Sequence, residues 1–126
     1  MRTFFRNLLQ NTPWDSQSRL KYLLSRESSA AACAVAGVSP ETIDRALRLF
    51  CDSFDIPDEQ MFCLRPSDAI HDIYRAMVAR THDDMEFERL AMGLEEAIGR
   101  SLTEGECKGL VTIEELIRFV HENVVA

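Results

Sequence analysis

Apolar residues in this chain recur at intervals of three and four, a spacing that belongs to helices and not to strands. Ile43, Ala46, Leu47, Phe50 and Phe54 share one helical face, as do Ile70, Ile73, Tyr74, Met77 and Val78. Phe87, Leu90, Ala91, Leu94 and Ile98 make a third stripe, and Ile113, Leu116, Ile117 and Val120 a fourth. Long polar–apolar alternation is missing, and five glycines and four prolines are few for a turn-rich β fold. The expected class is all-α.

Start and stop signals frame these stripes. Ser39 is placed to cap, Pro40 suits the first helical position, and Glu41 suits the positive helix end. Ser67 or Asp68 is expected to cap a helix over about 69–80. Asp83 with Glu86, Thr103 with Glu106 and Thr112 with Glu115 each read as a capping box, and Gly99 as a stop. "DIPDEQMFCLRP" reads as a connecting loop. Upstream, "TFFRNLLQ" places Phe4, Phe5, Leu8 and Leu9 on one face of a short helix, which "NTPW" breaks. A second helix is expected from about Ser16 to Val35, stopped by Gly37. The organisation predicted is an N-terminal helical extension, 1–39, before a helical bundle, 40–126.

Charge divides along the same line. Residues 1–39 hold five basic groups against two acidic, giving +3, and residues 40–126 hold nine against nineteen, giving −10. An acidic body is unsuited to nucleic acid, which needs a cationic face. It suits a protein partner that presents arginine or lysine. A length of 126 residues, 46% hydrophobic and 28% charged, fits one globular domain.

Cys33, Cys51, Cys63 and Cys107 stand at wide, unmatched spacings, and reduced thiols in a cytoplasmic protein are expected. A disulfide pair or a zinc site stays open, although no spacing points to either. No apolar run reaches the roughly 20 residues of a spanning helix. "MRTFFRNLLQ" is too polar for a secretory signal, although it is basic and acid-poor, as organelle transit peptides are. His71, His82 and His121 are scattered, and no Ser-His-Asp, Cys-His or glycine-rich phosphate pattern occurs, so no enzyme is expected and no metal site. A membrane role is not expected either, since the one basic amphipathic segment is short.

One segment carries a family likeness. "DDMEFERLAMGLEEAIGRSLTEGECKGLVTIEELIRFV", residues 83–120, resembles the second half of an acyl carrier protein. That family's pattern is Asp-Ser-Leu, an acidic helix ending in Leu-Glu-Glu, a short helix and a threonine-capped last helix. Aligned without a gap, Asp83 matches the aspartate, Asp84 the serine and Met85 the leucine. Glu86, Leu90 and Met92 match helix positions, and Leu94 to Glu96 supply the Leu-Glu-Glu. Residues 40–62 then correspond to the first helix and its loop. The resemblance covers about two thirds of the chain.

It implies an acyl-carrier-like four-helix bundle whose extra helix, about 69–80, stands where the family has a loop. Residues 1–39 have no counterpart. The family's serine takes phosphopantetheine from coenzyme A as a stable phosphodiester. A carboxylate at Asp84 gives only a labile mixed anhydride, so 4′-phosphopantetheine is not expected. Two accounts of the aspartate stand: a carboxylate in the first turn stabilises the helix start, or its charge imitates the phosphate of a loaded arm, and the two can coexist. Partner contacts carry over to Glu86, Glu88, Arg89, Met92, Glu95 and Glu96, with acyl or polyketide enzymes as partners. Arg89 departs from the family by placing a cation among acids, and residues 1–39 are expected to pack against the bundle or to mediate self-association. Two other readings stand: a true carrier loaded at another serine, of which Ser67 is the first candidate, and a helical adaptor unrelated to acyl metabolism.

Overall fold

The computed structural model describes residues 24–81 and 85–124, the side chains of 76–81 excepted. Its helices are α1 (Pro40–Phe54), α2 (Ile70–Thr81), α3 (Glu86–Ile98), α4 (Glu104–Gly109) and α5 (Ile113–Asn123). Two 3-10 segments, Ala31–Cys33 and Asp58–Cys63, complete the order, and no strand appears among the described residues. The fold is all-α.

The long α1 is the hub against which α3 and α5 pack. Its stripe buries Ile43, Ala46, Leu47, Phe50 and Phe54, with Phe50 and Phe54 stacked at 4.3 Å. Ser39 Oγ accepts from the Thr42 N–H at 3.2 Å and Pro40 occupies the first turn. At the other end Asp55 takes a left-handed conformation, φ 57°, and its N–H returns to the Cys51 carbonyl. The sheltered face meets Leu90 and Leu94 of α3 and Ile113, Leu116, Ile117 and Val120 of α5 in one apolar cluster. Gly93 belongs to this packing: a Cβ there would stand 3.2 Å from Leu49 Cδ2 of α1.

The extra helix expected over 69–80 is present as α2, but neither Ser67 nor Asp68 caps it in the expected way. Asp68 accepts a bidentate pair from Arg26, at 3.1 and 2.6 Å, and the Arg65 N–H at 2.8 Å. The first turn of α2 instead closes on the Ala69 carbonyl, which accepts from Asp72 and Ile73. A short antiparallel contact fixes where α2 begins: Ile70 N–H donates to Val111 O, and Ile113 N–H to Asp68 O.

Upstream of α1 the sequence expectation fails. The helix expected to reach Val35 ends at Leu24, the first described residue, and between it and Val35 only Ala31–Cys33 coils, as a 3-10 turn. Backbone groups of this segment are spent on the 62–65 loop: Ser29 N–H donates to Phe62 O, and Arg65 Nη2 donates to Glu27 O at 2.6 Å. Cys33 Sγ donates to Leu64 O at 2.9 Å. Gly37 takes φ 80° in a turn and stops no helix. Leu24, Cys33 and Val35 belong to the same apolar cluster as the helices. The earlier stretch, with the helix expected at "TFFRNLLQ", lies outside the described residues. The loop expected over "DIPDEQMFCLRP" also holds more order than its sequence suggests, since Asp58–Cys63 coils into a 3-10 helix that buries Met61 and Cys63.

Candidate functional site

Helix α3 holds most of the residues singled out by sequence, and it sorts them into three groups. The attachment-position residue, Asp84, lies outside the described residues with His82 and Asp83. What is described is the start of α3, where Met85 occupies the cap position with no side-chain cap bond. The helix therefore starts later than an Asp83 cap requires, and Glu86 is its first residue and not the third of a capping box.

Glu86 corrects the sequence reading most sharply. As a partner contact it would stand in solvent; it is 1% exposed. The free N–H groups and positive dipole of a first helical turn suit a carboxylate there. Arg89 and Glu95 are half-buried and employed within the molecule. Arg89 Nε donates to Ser53 O at 3.0 Å, tying α3 to the last turn of α1, where a cation is favoured. Glu95 Oε2 accepts from Leu102 N–H at 2.8 Å and so fixes the chain after Gly99.

Solvent retains Glu88, Met92 and Glu96 of the expected contact residues, joined by Met85. Their spacing of three, four and four aligns them as one stripe. Met85 is 51% exposed and Met92 67%, which is unusual for large apolar side chains. Neither Glu88 nor Glu96 pairs with a cation among the described residues, whereas Glu104 and Glu106 pair with Lys108 and Arg100. The stripe is apolar and negatively charged together.

Beside it opens a cavity of about 250 Å³, unforeseen in the sequence. Phe87, Leu90 and Ala91 of α3 form one wall; Cys107 of α4, with Leu102 and Leu110 beside it, forms the other, and Glu88 stands in the lining. Phe87 is set by edge contacts with Phe54 at 5.8 Å and Tyr74 at 4.7 Å. The α4 wall is held by its Thr103–Glu106 capping box and by Arg100, whose guanidinium grips Glu106 at 2.9 and 2.7 Å. Those caps were legible; the void beside them was not, because it depends on how α3 and α4 diverge after Gly99.

The thiols differ in availability. Cys33, Cys51 and Cys63 are buried and Cys107 is exposed, all four unpaired. Burial, reinforced by the Asp58 and Asp52 carboxylates, pushes the Cys51 thiol up to about 12. Burial also raises Cys33, against the pull of the Arg65 guanidinium. Among the described residues no group of three or more His, Cys, Asp or Glu is placed to hold a metal ion. No described helix is long and apolar enough to cross a membrane. Ser67, the alternative attachment residue, is exposed on the turn before α2.

No protein-family model, curated protein or solved structure matches the chain.

Proposed function

We propose that this chain is a non-catalytic, acyl-carrier-like module that docks a partner protein through the solvent face of α3. The Met85–Glu88–Met92–Glu96 stripe carries the reading, with two large apolar side chains in solvent beside two carboxylates that no described cation neutralises. Exposed methionines adapt their shape to an incoming surface, and a negative rim speeds encounter with a positive one. The partner chemistry that fits is an apolar patch flanked by lysine or arginine.

The acyl-carrier part of the proposal is supported by the Asp83–Glu96 motif and by helix order once the additional α2 is set aside: a long helix, α3, a short capped helix and a Thr112-capped last helix. With aspartate at position 84 the module carries no arm, and it scaffolds or competes among acyl or polyketide enzymes of the cytoplasm.

Two measurements test this. Acyl-chain enzymes should be retained by the immobilised chain and by Glu122→Lys, a remote surface control, and lost from Glu88→Lys/Met92→Asp. Equal retention by all three, or retention of unrelated proteins alone, ends the proposal. Intact mass after incubation with coenzyme A and a promiscuous phosphopantetheinyl transferase should change for Asp84→Ser only. A gain on the natural chain would move the attachment to Ser67, whose exposure favours that second reading.

A further inference from the structure

We propose that the acidic α3 face and the cavity between α3 and α4 receive this chain's own N-terminal segment, residues 2–9, as an internal ligand. This uses the α3 surface of the docking proposal and supplies its regulation, but it requires no partner to be observed.

The argument begins with complementarity. The cavity lining is apolar apart from Glu88 and the Cys107 thiol, and Glu96 stands on the same solvent face of α3. Residues 2–9 read Arg-Thr-Phe-Phe-Arg-Asn-Leu-Leu, which combines two cations with four large apolar residues and no acid. At helical spacing Phe5, Leu8 and Leu9 share a side, and Arg2 and Arg6 stand one turn apart. That is the composition of an amphipathic helix laid into an apolar groove. The body of the chain is acidic, −10 over residues 40–126, so the basic block meets attraction there, and this recess adds an apolar surface to it.

Reach is ample. Residues 10–23 join the segment to Leu24, which is anchored in the core at 9% exposure. Extended chain spans about 3.3 Å per residue, and a domain of this size has a radius of gyration of about 13 Å. A short tether also holds its ligand at an effective concentration in the millimolar range, so even a weak contact is populated. A partner would have to displace the segment to reach Met92 and the cavity.

Cys107 reports occupancy, because it lies in the lining and is exposed while Cys33, Cys51 and Cys63 are buried. Alkylation of Cys107 by iodoacetamide, followed by peptide mass spectrometry on the full chain, should be slow. In Phe5→Asp/Leu8→Asp it should be severalfold faster, as it should in natural chain at high salt, where the arginine attraction is screened. A synthetic peptide of residues 1–12 should restore protection to the variant. Labelling of the three buried thiols would reveal a misfolded variant, and the decision then passes to Arg2→Glu/Arg6→Glu. Equal Cys107 rates in natural chain and variant overturn the proposal. Protection that grows with protein concentration alongside a dimer also overturns it, since the segment then occupies a second copy. Partner retention is measured separately, so failure of either idea leaves the other standing.

Discussion

Glu106 shows how much one side chain can secure. Its carboxylate closes the α4 capping box by accepting the Thr103 N–H at 2.9 Å and also receives both arms of Arg100. The Arg100 guanidinium first, and the Thr103 backbone second, hold this carboxyl down at about 2, from 4.5. A depressed carboxyl stabilises the fold fully above its unfolded value, and that contribution disappears as pH falls toward 2. Urea unfolding at a series of pH values should therefore show a shallower acid loss for Glu106→Gln than for the natural chain. Parallel acid limbs would refute the assignment. Arg26 secures a different joint. Its bidentate pair with Asp68, whose side chain is 10% exposed, fastens the segment before α1 to the turn before α2. Arg26→Ala should cost about 2 kcal/mol, since it leaves a largely buried carboxylate with the Arg65 N–H but without its counter-charge, and chemical denaturation measures it. Sequence marks Glu106 through Thr-x-x-Glu, because a cap is local. It does not mark Arg100 or Arg26, whose partners depend on loops that only tertiary packing places.

At the scale of elements, α3 records both successes and failures of sequence reading. Its stop was legible: Gly99 takes φ 77° and closes the helix on the Glu95 carbonyl. Its start was not: Met85 holds the cap position, and Glu86, the first helical residue, is drawn inside. Periodicity assigned Leu90 and Leu94 correctly to the core, yet could not tell a half-buried Glu95 from an exposed Glu96, because that depends on Leu102 turning back. The same logic separates two glycines in their response to a methyl group. Gly99→Ala forces a left-handed conformation on a residue with a Cβ and should cost about 1 kcal/mol. Gly105→Ala lies within α4, where the new Cβ meets only Thr103 Oγ1 at 4.0 Å, and should gain about 0.5–1 kcal/mol. Thermal unfolding should move by a few degrees in opposite directions; shifts of one sign would break the argument.

The whole molecule has an alkaline limit written into its core. Cys51 is fully buried in the last turn of α1, and its thiol keeps its proton to about pH 12, against 9.0 for an open one. Between those values the unfolded chain releases a proton that the folded chain retains, so stability falls as pH rises above 9. Cys51→Ala should flatten that limb of the stability profile, at some cost in packing at neutral pH; an unchanged limb would place its origin elsewhere. Charge is likewise legible only at this scale: the +3 and −10 blocks are plain in the sequence, but the recess that gives the acidic one a shape is not.

Helix α4 buries no residue of its own. Its position is kept by a cap, the Arg100 clamp and the Glu95 bond to Leu102, with little of the apolar cohesion that locks α1, α3 and α5 together. The turn of α4 thus hangs outside the core, between Leu102 and Leu110, which pack against it, and is expected to open at lower cost than the helices behind it. Amide exchange should be fast in α4 while α1 stays protected. The capacity of the recess then becomes an adjustable quantity, set by whatever occupies it.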